Sequence, residues 1–123
     1  MRRVLSGIAL GLVAMVALAA GVENKWRLEF SGNAESDGRI VLELAPDQGE
    51  PMRATAQVAK GRSENGVARD VRDALKAQVG QRYSVEVDDG EDVLVKRKRG
   101  ERDFVITIVE NSVDGVRIHV DAE

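Results

Sequence analysis

The chain has 123 residues, with 18 Lys+Arg against 21 Asp+Glu, no cysteine, one histidine, one Trp, one Tyr and two Phe. These counts exclude disulfide scaffolds, cysteine zinc fingers, cysteine nucleophiles and any site that needs two histidines. The length accommodates one ordinary domain.

The N-terminus reads as a processing signal. Arg2 and Arg3 precede an uncharged run from Val4 to Ala20, and Ala17 and Ala19 occupy the −3 and −1 positions of an A-x-A cleavage site. This predicts a signal peptide over 1–19, cleaved near Ala19/Ala20, and a single domain over 20–123. The competing expectation is an uncleaved membrane anchor. The run is at the short end of what crosses a bilayer, and Ser6, Gly7 and Gly11 dilute its apolarity. Processing leaves about 104 residues and moves the net charge from −3 to about −5. An acidic domain argues against a general binder of nucleic acid or anionic membranes. An exported chain without thiols fits a bacterial envelope compartment, periplasmic or secreted.

Trp26, Leu28 and Phe30 alternate with Lys25, Arg27 and Glu29, the pattern of a half-buried strand. Ile40, Leu42 and Leu44 repeat the period until Pro46 and the Asp47-Gln48-Gly49 turn. Met52, Ala54, Ala56 and Val58 form a third strand, and three consecutive antiparallel strands are the economical arrangement. Between Ser63 and Gly80 the period changes: Val67, Val71, Ala74, Leu75 and Val79 fall at helical spacing. Ser63 is the expected N-cap with Glu64 in the first turn, and Gly80 the expected left-handed residue at the C-terminus. Arg69 with Asp73, and Asp73 with Lys76, are expected surface pairs.

After the helix the period returns to two. Tyr83, Val85 and Val87 lead through Asp88-Asp89-Gly90-Glu91-Asp92 into Val93, Leu94 and Val95, a hairpin closed by Asp-Gly. Phe104, Ile106 and Ile108 form the next strand, and Val116, Ile118 and Val120 the last, with Asp114-Gly115 turning between them. The order βββ-α-ββββ predicts an α+β domain: an antiparallel sheet of about seven strands with one amphipathic helix on one face, curled toward a barrel where edges need cover.

Lys96, Arg97, Lys98 and Arg99, with Arg102 beyond Gly100, form a basic run at the far end of the hairpin. As a strand it would send Lys96 and Lys98 to one side and Arg97 and Arg99 to the other, so it is less of a patch than it looks. Its bland reading is a solubilised hairpin that blunts a sheet edge. Its functional reading is a site for an anionic polymer or lipid headgroup, held by forked guanidinium hydrogen bonds. Nucleic acid is the least favoured ligand, because no aromatic residue interleaves the run for base stacking. The acidic turn 88–92 lacks the D-x-D-x-D-G spacing of a calcium loop, and no metal or cofactor is expected.

His119 alternates with Ile118 and Val120 and is expected to face outward, and no serine has a G-x-S-x-G context. The aromatic residues Trp26, Phe30, Tyr83 and Phe104 are expected in the core rather than on a sugar-binding face. Together these readings predict an exported, non-enzymatic module that binds another envelope protein through a sheet edge or the basic hairpin. An anionic-polymer module is the alternative, and an N-terminally anchored periplasmic form with the same role is the second.

Overall fold

Each apolar alternation described above becomes a strand, and the one stretch of helical period becomes a helix. The computed structural model describes residues 21–123, so the signal-peptide reading of 1–19 lies outside the described residues. The strands are β1 (Lys25–Ser31), β2 (Gly38–Pro46), β3 (Met52–Val58), β4 (Tyr83–Asp88), β5 (Asp92–Arg97), β6 (Phe104–Asn111) and β7 (Arg117–Ala122). The helix α1 spans Glu64–Val79 between β3 and β4. The fold is α+β, mostly antiparallel sheet with one helix.

The strands form two sheets instead of the single sheet expected. One has the order β4-β5-β1-β7 and the other β3-β2-β6. β1 therefore does not lead the run of three antiparallel strands. It sits centrally in the larger sheet, between β5 and β7. The reason lies in the segment after β1. Gly32 turns the chain away at φ 87. Ala34 N then donates to Arg62 O, and Glu35 N to Asp114 O, both at 2.8 Å. These backbone groups are satisfied by neighbouring loops, so no β1–β2 ladder forms. β6 and β7 likewise part company: Asp114-Gly115 does turn the chain, but β6 pairs with β2 and β7 with β1.

Two ties join the sheets. At one end, Glu23 pairs with Phe104, and the Trp26 indole Nε1 donates to Phe104 O at 2.7 Å. At the other end, the 32–37 and 112–116 loops approach so closely that a Cβ built on Gly32 would collide with the Gly115 carbonyl. Both glycines hold φ 87, a conformation that L side chains avoid.

α1 lies against β3 and β4, the edge strands that β2 and β5 leave unpaired on one side, and so covers the seam between the sheets. Val67, Val71, Leu75 and Val79 are fully or almost fully buried on its inner face. The Ser63 hydroxyl accepts from Gly66 N at 3.1 Å, as expected of an N-cap. Asn33 Oδ1 adds a second acceptor for the helix start, from Glu64 N. The expected left-handed C-terminus is not formed. Gly80 stays right-handed at φ −62 and donates to Lys76 O, because the chain continues in a further turn before β4. The expected helix-surface pairs are replaced by Arg62 gripping Asp70 at 2.7 and 3.0 Å and by Arg72 with Asp73.

Tyr83 meets Phe104 edge to face, with ring centroids 4.9 Å apart, at the centre of the core. Its hydroxyl is buried with no hydrogen-bond partner among the described residues, and burial pushes the phenol above its ordinary pKa. A buried, unpaired hydroxyl costs stability. Tyr83→Phe is therefore expected to raise stability by about 1 kcal/mol in denaturant unfolding followed by the fluorescence of Trp26, the chain's single tryptophan. A comparable loss would mean that the hydroxyl finds a partner in solution.

Candidate functional site

The basic run lies at the end of the molecule where Glu23 meets Phe104. β5 ends at Arg97, so the run is only partly a strand. Lys98 N still bonds Arg82 O in the β4–β5 register, but Glu101 N then turns back to Lys98 O with Gly100 at φ 88, which takes Arg99 and Gly100 out of the ladder. With Asp47 and the segment to Asp103, these residues line an open groove of about 550 Å³.

Most of the cations here already have partners. Arg102 holds Asp47 in a forked pair at 2.7 and 3.1 Å. Arg97 lies 3.1 Å from Asp103 and donates to Glu101 O. Lys98 Nζ donates to Gly80 O, just beyond the helix, at 2.8 Å. Lys96 and Arg99 are exposed and form no ion pair among the described residues. Forked guanidinium recognition, expected toward a ligand, is thus spent at Arg102 on the β2–β3 turn. The groove mixes Asp47, Glu101 and Asp103 with its cations, so its field is only weakly positive.

A second polar constellation covers the outer face of the larger sheet. Arg27, on β1, donates to Asp92 at 2.6 Å, Asp88 at 3.2 Å and Glu123 at 3.1 Å. The hydrogen bond to Glu123, then that to Asp92, holds the guanidinium above its ordinary pKa, and Arg27 in turn draws the Glu123 carboxyl down. Asp92 is 5 % exposed, and its second oxygen, Oδ1, is buried without a donor among the described residues. On β7, His119 faces outward as expected, with Nε2 at 2.9 Å from Asp121 Oδ2. Glu29 stands directly across from His119. The donor atoms of Glu29, His119 and Asp121 all lie within 4.8 Å of one another. Sequence reading missed this group: His-x-Asp is visible on one strand, but nothing local says that Glu29 pairs opposite.

The third feature is structural exposure. Among the described residues, β6 beyond Phe104 has a strand neighbour only on the β2 side, and β7 only on the β1 side. Ile108, Ile118 and Val120, on the inner faces of these strands, are only half-buried against the core. Val109 is 41 % exposed, the one exposed large apolar residue among those described. The aromatic residues offer no sugar platform, since Trp26, Phe30, Tyr83 and Phe104 are all buried. Among the described residues no helix is long and apolar enough to cross a membrane. Comparison with family models, curated proteins and solved structures found no match to this chain.

The Arg102 fork has a direct pH consequence. Its hydrogen bonds hold the Asp47 carboxyl below the usual carboxylate range. A depressed folded-state pKa stabilises the fold above the unfolded value, about pH 4, and this stabilisation is lost as pH falls through the folded value. Arg102→Gln is therefore expected to show a smaller drop in melting temperature than the parent between about pH 5 and pH 2. Superimposable pH profiles would mean that the fork is not formed in solution.

Proposed function

We propose that this chain is an exported, non-catalytic protein-interaction module of the bacterial envelope, which meets its partner along the unpaired edges of β6 and β7. The observation that carries this reading is the coincidence of two free strand edges with half-buried Ile108, Ile118 and Val120 and exposed Val109. An unpaired edge offers a row of backbone donors and acceptors to an extended segment, and apolar side chains beside it supply specificity. Export is supported by the arginine-led apolar run and its A-x-A site. If 1–19 were retained, the same domain would act from a membrane.

A second reading, an anionic-polymer module, is favoured by the groove and the unpaired Lys96 and Arg99. The pairing of Arg97, Lys98 and Arg102 within the protein weakens it.

The two readings differ in salt dependence and in the residues that matter. Capture from the chain's own envelope extract is expected to survive high salt and to fall about tenfold in Val109→Lys, which places a hydrated charge beside the edge. Capture that vanishes with salt and with Lys96→Ala/Arg99→Ala, yet is indifferent to Val109→Lys, would instead support the anionic ligand. Mass spectrometry of the envelope fraction is expected to find a chain beginning within a residue or two of Ala20. A chain that still carries 1–19 would establish the anchored form.

A further inference from the structure

The acid-rich outer face of the larger sheet has a feature that strand-edge docking does not use. We propose that it binds a divalent first-row transition ion of the Zn²⁺ class, through Glu29 on β1 and His119 and Asp121 on β7.

The donors are placed by strand pairing and not by a loop. Glu29 and His119 are partners in the β1–β7 register, and Asp121 lies two residues further along β7, hence on the same face. One imidazole nitrogen and two carboxylates converge within 4.8 Å. This mixed nitrogen and oxygen set suits Zn²⁺, Ni²⁺ or Cu²⁺, whereas Ca²⁺ and Mg²⁺ favour oxygen-only shells with more ligands. The group is exposed, so water can complete the coordination sphere.

A separate observation points to a missing positive charge. The transverse row through Glu29 and His119 continues across the sheet to Asp92 on β5 and Asp88 on β4. Asp92 has a side chain only 8 % exposed, and its Oδ1 receives no donor among the described residues. Arg27 serves Asp88, Asp92 and Glu123 at once, with nothing left for Glu29. Lys25 on β1, Arg117 on β7 and Lys96 on β5 are the other basic residues of this face, and the carboxylates of Glu29, Glu86, Asp88, Asp92, Asp121 and Glu123 still outnumber the cations around the row. A dication at the β7 end would relieve an excess that Arg27 alone cannot balance.

His119 is the only histidine, so the assignment can be tested on the untagged full chain without ambiguity. Calorimetric titration with ZnCl₂ is expected to show one site. His119→Ala is expected to weaken it by at least about tenfold, since even outer-shell losses cost that much at metal sites. Glu29→Gln and Asp121→Asn are expected to weaken it as well. The His119 ring-proton resonances should shift with the same midpoint. All three side chains are exposed, and an unchanged melting temperature without metal would confirm that the variants fold. No heat and no His119 shift up to about 1 mM Zn²⁺ would overturn the proposal. So would binding that His119→Ala leaves intact, or CaCl₂ binding as tightly as ZnCl₂.

Discussion

The architecture depends on the corner at which two sheets meet on a single carbonyl. Phe104 O accepts from Glu23 N at 2.9 Å and from the Trp26 indole at 2.7 Å, while Phe104 N donates back to Glu23 O. The Trp26 bond is buried, where an unmade one would cost about 1–3 kcal/mol. The Phe104 ring sits against Tyr83, the first residue of β4. One residue thus fixes the start of β6 relative to β1 and β4, strands it does not pair with along their length. Two thin sheets become one core because this corner and the Gly32/Gly115 contact hold their opposite ends, and α1 fills the side between β3 and β4.

The charges follow from that framework more than they create it. Arg102 with Asp47 and Arg97 with Asp103 connect the β5–β6 loop to its surroundings, but exposed pairs of this kind contribute about 0–1 kcal/mol each. The same loop is already positioned by Asp47 N bonding Asp103 O and Lys98 N bonding Arg82 O. The basic run is therefore mainly a set of clasps over a fixed backbone. The whole run is exposed, but the charges that it leaves without a side-chain ion pair or hydrogen bond among the described residues are only Lys96 and Arg99.

How much could be read from the chain follows from the same division between local and distant contacts. Strand and helix identities were legible, because burial by period two or 3.6 writes itself into neighbouring residues. The β4–β5 hairpin was legible too, since Asp89 and Gly90 both take the positive φ that Asp-Gly favours. The partition into sheets was not. Every strand carries a similar alternation, and the partners of Leu28, Val93 and Val120, lie far along the chain. The same limit hid the metal-type cluster, whose Glu29 and His119 meet only through the β1–β7 register. Lys98 misled for a different reason: charge alternation continues past the last ladder bond, from Lys98 N to Arg82 O, into the turn that Glu101 N closes on Lys98 O.

β7 is where these strands of argument converge. Among the described residues it is held by β1 alone, and neither the helix nor the second sheet covers its outer edge. Such an edge invites uncontrolled pairing unless charge discourages it. Arg117, His119 and Asp121 supply that charge on the outer face, while Ile118 and Val120 keep the inner face apolar and only half-buried. A strand designed only for protection would gain from filling that inner seam, because each partly exposed aliphatic side chain forgoes burial worth about 25 cal/mol per Å². β7 instead retains an apolar inner face beside an open edge, with its polar residues on the other face, and the proposed docking rests on this arrangement.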